Sequence, residues 1–176
     1  KPVSNAQYLA FIQDGGYQTR NWWSGTGWMW LTRQNIRHPA RWRRDAGGLW
    51  FEINSDGSAD FIAKSPVHGV PRFEAGAFAS WARARLPHEF EWEAAARAGI
   101  LDKAGEVWEW GANTFHPYPG FGAYPYREYS VPWFDHRHCV LRGGCTHSEV
   151  EIKRPAFRNY YLADAGYLFA GIRLAK

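Results

Sequence analysis

The sequence predicts an α+β domain with two main helices and a few short strands set among long irregular stretches. Three observations lead there. Phe73, Ala77, Phe78, Trp81 and Ala82 recur at helical spacing within 73–85, and a second helical run follows Leu86-Pro87-His88-Glu89 and closes at Gly99. The strand-like runs are brief, at 49–53, 138–142, 157–160 and 169–174. The chain holds 11 Trp, 9 Tyr and 11 Phe against a single Met, so its core is built largely from rings, whose N–H and O–H groups need partners once buried. At 176 residues the chain is one domain, long enough to bury a core without disulfide or metal staples.

In chain order, Ser4 followed by Gln7 matches a capping box, and Ala6, Tyr8, Leu9, Phe11 and Ile12 then make a short amphipathic helix that Gly15-Gly16 stops. From Tyr17 to Arg44 no period is sustained; Trp22, Trp23, Trp28 and Trp30 pack an irregular segment with a short helix near Gly27–Arg33. Leu49–Ile53 reads as a strand ended by the turn cluster Asn54–Gly57. In the second main helix a proline sits near the first turn and acids follow at Glu89, Glu91 and Glu93, where the helix dipole favours them. Between Asn113 and Phe134 prolines, glycines and rings crowd together; so many rings argue against disorder and for a structured binding loop. The alternation in Phe169–Leu174 predicts a closing strand.

Within Gly105-Glu106-Val107-Trp108-Glu109-Trp110, an extended backbone puts Trp108 and Trp110 on one face and Glu109 with Val107 on the other. A buried carboxylate needs a partner, and Arg142 or Arg173 is expected to pair with Glu109.

The formal net charge is +4 and the positive residues are dispersed, apart from Arg41-Trp42-Arg43-Arg44. That group reads as a solvated loop face laying arginine stems over aromatic surface, not as a nucleic-acid surface. Cys139 and Cys145 flank a strand candidate that holds them apart, so they are expected as reduced thiols, which points to the cytoplasm. No apolar run reaches membrane length. The chain opens at Lys1 inside an element already under way, as expected of the ordered part of a longer chain.

Five motifs then occur in a telling order: Ser4-Asn5-Ala6-Gln7-Tyr8, Leu86-Pro87-x-Glu89-x-Glu91-Trp92-Glu93, Gly105-x-Val107-Trp108-Glu109-Trp110, Leu141-Arg142-Gly143-Gly144 and Phe169-Ala170-Gly171-Ile172-Arg173. From end to end the chain resembles formylglycine-generating-enzyme (sulfatase-modifying factor) domains. Pro117-Tyr118-Pro119-Gly120-Phe121, Tyr126-Arg127-Glu128-Tyr129-Ser130 and Phe157-Arg158-Asn159 resemble, within that family, the carboxy-terminal domain of ergothioneine-type sulfoxide synthases. The resemblance implies a C-type-lectin-like fold over residues 1–176 with short antiparallel strands, and a place as the carboxy-terminal part of a longer chain. It also implies a non-heme-iron oxidoreductase that joins a thiol or selenol donor to histidine betaine with oxygen, as in ergothioneine or selenoneine biosynthesis.

In that family Fe(II) is held by three histidines of an amino-terminal helical bundle with a His-x-x-x-His-x-Glu pattern, which these residues lack, so no metal ligand is expected here. His136-x-His138 has chelating spacing but no third partner, and reads as a loop feature. The parent enzymes bind copper through two cysteines downstream of Arg-Gly-Gly; here Cys145 follows Gly144 with no second cysteine beyond it, and reads as a small buried hydrophobe. A structural calcium near Trp108, as in relatives, is left open. The resemblance points to Asn159 and Tyr160 as contacts to the histidine-derived substrate and to a loop tyrosine, Tyr124 or Tyr126, as proton donor. Phe115, Tyr118 and Phe121 offer ring faces to a quaternary ammonium. Where many relatives carry an acid that holds the donor's amine, Tyr161 stands, so the donor's identity is open. The competing reading is a non-catalytic C-type-lectin-like ligand-binding module.

Overall fold

The computed structural model describes residues 1–54 and 56–176. Its elements are α1 (Asn5–Gln13), α2 (Gly25–Gln34), β1 (Trp42–Arg44), β2 (Trp50–Asn54), β3 (Gly57–Asp60), α3 (Arg72–Trp81), α4 (Glu89–Arg97), β4 (Trp108–Thr114), β5 (His138–Arg142), β6 (Asn159–Leu162) and β7 (Ala170–Gly171). They form a three-stranded antiparallel sheet, β1-β2-β3, and a four-stranded sheet ordered β6-β5-β4-β7. The α+β class is as the sequence predicts.

Local chemistry accounts for the helix ends. At α1 the Ser4 hydroxyl accepts from the Gln7 amide while the Gln7 side chain accepts from the Ser4 amide, the capping box expected. At α4 the cap is His88 rather than the proline turn: its Nδ1 accepts from the Phe90 amide at 3.2 Å and Glu91 accepts from the His88 amide at 2.7 Å. Helix α3 stops at Trp81, four residues short of the expected run, because the chain turns left-handed at Arg83.

Two strands differ from expectation. Arg41–Arg44 is no free loop: it contributes β1, and Trp42 is buried against Trp50, Phe61 and Tyr8 while its neighbours face outward. The closing strand is only two residues long, and it pairs parallel to β4, with Trp108 opposite Ala170 and Glu109 opposite Gly171. Gly171 passes close to the Val67 carbonyl, where a Cβ at 171 would lie 2.3 Å from the oxygen. The turn read at Asn54–Gly57 includes Ser55, which lies outside the described residues, while β2 and β3 pair on either side of it.

The main core joins α1, α3 and both sheets through rings: Tyr8 stacks on Phe78, Phe11 meets Phe78, Trp22 and Trp81 edgewise or tilted, and Trp110 donates its indole N–H to the Val70 carbonyl. Between the sheet and α4 runs a layer of charge. Glu109, wholly buried, accepts from Arg173 through both oxygens at 2.6 and 2.8 Å and from the Trp92 indole at 2.6 Å. Of the two partners expected, Arg173 takes the carboxylate. Arg142, directly opposite Glu109 in the ladder, pairs instead with Glu93 of α4 and donates to the carbonyls of Ala156 and Phe157. Cys139 and Cys145 are buried free thiols.

Candidate functional site

Strand β4 carries the chain toward the aromatic loop through an irregularity. Its register with β5 shifts between Trp110 and Thr114, and the backbone groups so released are taken up by Arg72, which donates to the carbonyls of Gly111 and Ala112 at 2.8 Å each. Asn113 thereby lands beside the amino end of α4, where its side chain accepts from the Glu89 amide and donates to the Glu89 carboxylate.

Glu89 is 0% exposed and gathers four donors. Oε1 accepts from Arg158 Nη2 at 2.7 Å and Asn113 Nδ2 at 2.8 Å; Oε2 accepts from Arg158 Nε at 2.7 Å and the Tyr118 hydroxyl at 3.2 Å. Arg158 also donates to the His116 carbonyl, and its guanidinium lies 4.5 Å from the Phe115 ring centre and 4.1 Å from that of Tyr118. Burial, with the nearby Glu89 carboxylate, raises the Tyr118 hydroxyl above its ordinary pKa, so it serves as a donor.

One residue further, Asn159 and Tyr160 begin β6. Tyr160 stacks on Phe115 at 4.2 Å between ring centres, its hydroxyl donates to the Tyr129 carbonyl at 2.6 Å, and its amide donates to Asn159 Oδ1. That last bond commits Asn159 Oδ1 and leaves Nδ2 as the side chain's donor. Burial, then the neighbouring Tyr129 and Tyr161, keep the Tyr160 hydroxyl protonated. Around the pair stand Phe134 on Phe115, and Trp133 and His138 beside Tyr160. Asp135 holds His138 Nδ1 at 2.9 Å; desolvation works against its charge, but hydrogen bonds from His138 and the 137 and 138 amides win and keep the carboxyl well below the usual range.

The structure therefore groups Phe115, Asn159 and Tyr160 with Tyr118 behind them, and leaves the others outside that contact set. Phe121 meets Phe134 edge to face and is 42% exposed. Tyr124 and Tyr126 stand in solvent at 92% and 70% exposure, on either side of a cis Tyr124–Pro125 bond, and lead into two 3-10 turns at 127–129 and 131–133. Sequence reasoning did not single out Glu89, Arg158, Asn113 or Trp133. The signal was available for one of them: Arg158 is a charge set between a ring and an amide in Phe157-Arg158-Asn159, whereas Glu89 is one of three acids in the first turns of its helix.

Among the described residues no group of three His, Cys, Asp or Glu side chains is placed to hold an ion, and one nitrogen of His138 is committed to Asp135. Near Trp108 both carboxylates are spoken for, Glu109 by Arg173 and Trp92, Glu106 by Lys103 at 3.3 Å. Calcium takes six to eight oxygens, backbone carbonyls included, and the two carboxylates here already have cationic partners. No helix of the described residues is long and apolar enough to cross a membrane.

Comparison with known proteins places this geometry in a family. The sulfatase-modifying factor enzyme 1-like domain matches residues 1–103 and 99–176, the whole chain in two stretches. The chain belongs to that family. Its fold is accordingly the formylglycine-generating-enzyme fold, and its similar relatives include proteins named hercynine oxygenase. The one from Mycolicibacterium thermoresistibile is 34% identical over 99% of this chain and 49% of its own length, and that from Mycobacterium tuberculosis 34% identical over 99% and 51%. A formylglycine-generating enzyme of Thermomonospora curvata is 33% identical over 60% of this chain and 38% of its own. The chain thus spans about half the length of the hercynine oxygenases it matches. The alignments to them run over 224 and 218 positions against 176 residues here, and the family match breaks at 99–103. At that break α4 passes to β4 through a short turn with Gly99, Lys103 and Gly105 all at positive φ.

Proposed function

We propose that this sulfatase-modifying factor domain is the substrate-recognition half of a cytoplasmic sulfoxide synthase, which joins a thiol or selenol donor to histidine betaine with oxygen. The observation that carries the reading is the ring-walled Asn159–Tyr160 pair, set in a chain that matches hercynine oxygenases over 99% of its length. A betaine presents a carboxylate and a quaternary ammonium. The Asn159 amide offers an N–H to the first, and ring faces attract the second, which cannot donate a hydrogen bond.

Fe(II), held by histidines outside these residues, would supply the oxygen activation. The work of this chain is to bind, to orient and to hold a proton. Tyr124 and Tyr126 are the candidate proton donors: both hydroxyls are free of the core and sit on the segment that ends, at Tyr129, on the Tyr160 hydroxyl. Tyr161 puts a phenol where a carboxylate would hold an amine, so a donor whose amine needs no anionic partner here, such as free cysteine or a selenol, is as acceptable as a glutamyl-cysteine.

The test is carbon–sulfur bond formation by the complete gene product loaded with Fe(II), with histidine betaine, oxygen and each donor in turn, read by mass spectrometry. A sulfoxide or selenoxide product is expected; failure with every thiol and selenol would sink the reading. Tyr124→Phe and Tyr126→Phe then assign the proton donor, the catalytic one losing product at unchanged betaine affinity.

A further inference from the structure

We infer that Glu89 and Arg158 form a positioning pair that fixes the Asn159–Tyr160 contact surface and keeps the ammonium of a ligand off Phe115 and Tyr118. The inference rests on the proposed reading for its ligand, though not for its geometry. The Arg158 guanidinium lies 4.5 Å from the Phe115 ring centre and 4.1 Å from that of Tyr118, and Tyr160 stacks on Phe115 at an interplanar angle of 18°. Phe115, only 6% exposed and packed by the guanidinium, Tyr160 and Phe134, therefore leaves no room for a second cation. Tyr118 has its hydroxyl bound to Glu89 and its ring against Phe90 as well. A ring face attracts a cation through its negative quadrupole, and a guanidinium 4 to 5 Å away already occupies that attraction.

The same pair sets where Tyr160 stands. Glu89 holds both Nε and Nη2 of Arg158 in a fork, so the guanidinium is fixed, the Phe115 ring centre lies 4.5 Å from it, and Tyr160 stacks on Phe115. Arg158 is also the residue before Asn159, so the fork anchors the first residue of β6 directly. Arg142 fixes the preceding carbonyls of Ala156 and Phe157, which gives the segment two buried anchors in three residues. The ligand's ammonium is then left to the rings that keep an open side: Tyr160 and the half-exposed Trp133, next to the Asp135 carboxylate that orients His138.

Single removal of either charge leaves its partner buried and unpaired and threatens the fold, so the decisive variant is the double change Glu89→Gln with Arg158→Met, which removes both charges and keeps the volume. In the full-length gene product its far-ultraviolet circular dichroism and thermal midpoint are expected to stay near wild type, while the KM for histidine betaine rises roughly tenfold or more and kcat falls less, as mispositioning of a contact surface does. Arg158→Lys, which keeps the charge and loses the fork, is expected to fail to restore KM. Trp133→Leu is expected to weaken betaine binding more than Phe121→Leu. In the 176-residue chain, the ring-current-shifted proton signals of Phe115 and Tyr160 should disappear in the double variant, while those of the Tyr8–Phe78 stack persist. A wild-type KM in the double variant, or full rescue by lysine, overturns the inference. Should wild type neither bind nor convert histidine betaine, the functional reading falls by itself. The ring-current signals then decide the positioning role alone, and their persistence in the double variant overturns it.

Discussion

Two buried carboxylates, Glu109 and Glu74, behave in opposite ways. Glu109 is matched by Arg173, whose Nε and Nη2 reach both of its oxygens. Glu109→Gln strips the guanidinium of its counter-charge inside the protein, which costs about 3–5 kcal/mol. Glu106→Gln, at the half-exposed Lys103 pair, is expected to cost at most about 1 kcal/mol. Urea midpoints of the two variants check the contrast. Glu74 has no arginine. Burial raises its pKa from 4.5 to about 8 against the opposing pull of the Tyr17 and Tyr8 hydroxyls, so the fold holds its proton at neutral pH. A group bound more tightly in the folded state gives its full stabilisation below the unfolded pKa and loses it as pH rises through the folded one. Between about pH 5 and 8 that loss amounts to about 1.4 kcal/mol per pH unit at most. Urea unfolding of wild type against Glu74→Gln at pH 5, 6.5 and 8 is expected to show wild type losing ground steadily, and parallel curves would refute the assignment. That Glu109 needs an arginine was legible from its place between two indoles. Which arginine was not, because Arg142 and Arg173 differ only in what the other strands and α4 offer them.

At the scale of elements, short-range chemistry was legible and close backbone approach was not. The capping box at Ser4 and Gln7 and the helical period of 73–81 are written in neighbouring residues, and both form. Strand β1 escaped notice because three arginines around one buried tryptophan look like a solvated surface, although a strand needs only its inward residue to be apolar. Strand β7 has two residues where the alternation over Phe169–Leu174 predicts a longer strand, since alternation says nothing of direction or of how near another backbone passes. Its register hangs on Gly171, where a methyl group would meet the Val67 carbonyl oxygen at 2.3 Å and Val107 at 3.0 Å. The oxygen belongs to backbone and cannot swing aside. Gly171→Ala is therefore expected to cost at least the 1–3 kcal/mol usual for overpacking, with a matching fall in thermal midpoint. Gly122→Ala in the aromatic loop, with no atom within 4 Å of the added methyl, is expected to leave the midpoint unchanged. Calorimetry on both variants checks this.

For the whole molecule, the candidate site is a surface with one wall. Phe115, Asn159 and Tyr160 were legible because they sit in a loop and a motif whose residue types announce binding. The buried fork beneath them was not, since Glu89 and Arg158 are 69 positions apart and meet only once α4, β4 and β6 are packed. Above this floor Tyr124, Tyr126 and Tyr129 stand largely exposed, together with half-exposed Phe121 and Trp133. Exposed aromatic surface can mark a place where something else docks, and in a chain spanning about half of its relatives' length we propose as occupant the segment that brings the iron ligands. The consequence is quantitative. Anaerobic dialysis of the 176-residue chain against Fe(II), followed by metal analysis, is expected to retain well below one equivalent, because the described histidines, cysteines and acids form no three-ligand group and His138 already serves Asp135. The complete gene product, treated in the same way, is expected to retain one equivalent and to protect residues 118–133 from hydrogen exchange relative to the shorter chain. A stoichiometric site in the 176-residue chain that vanishes with His136→Ala or His138→Ala would place the metal here instead and overturn this division of labour.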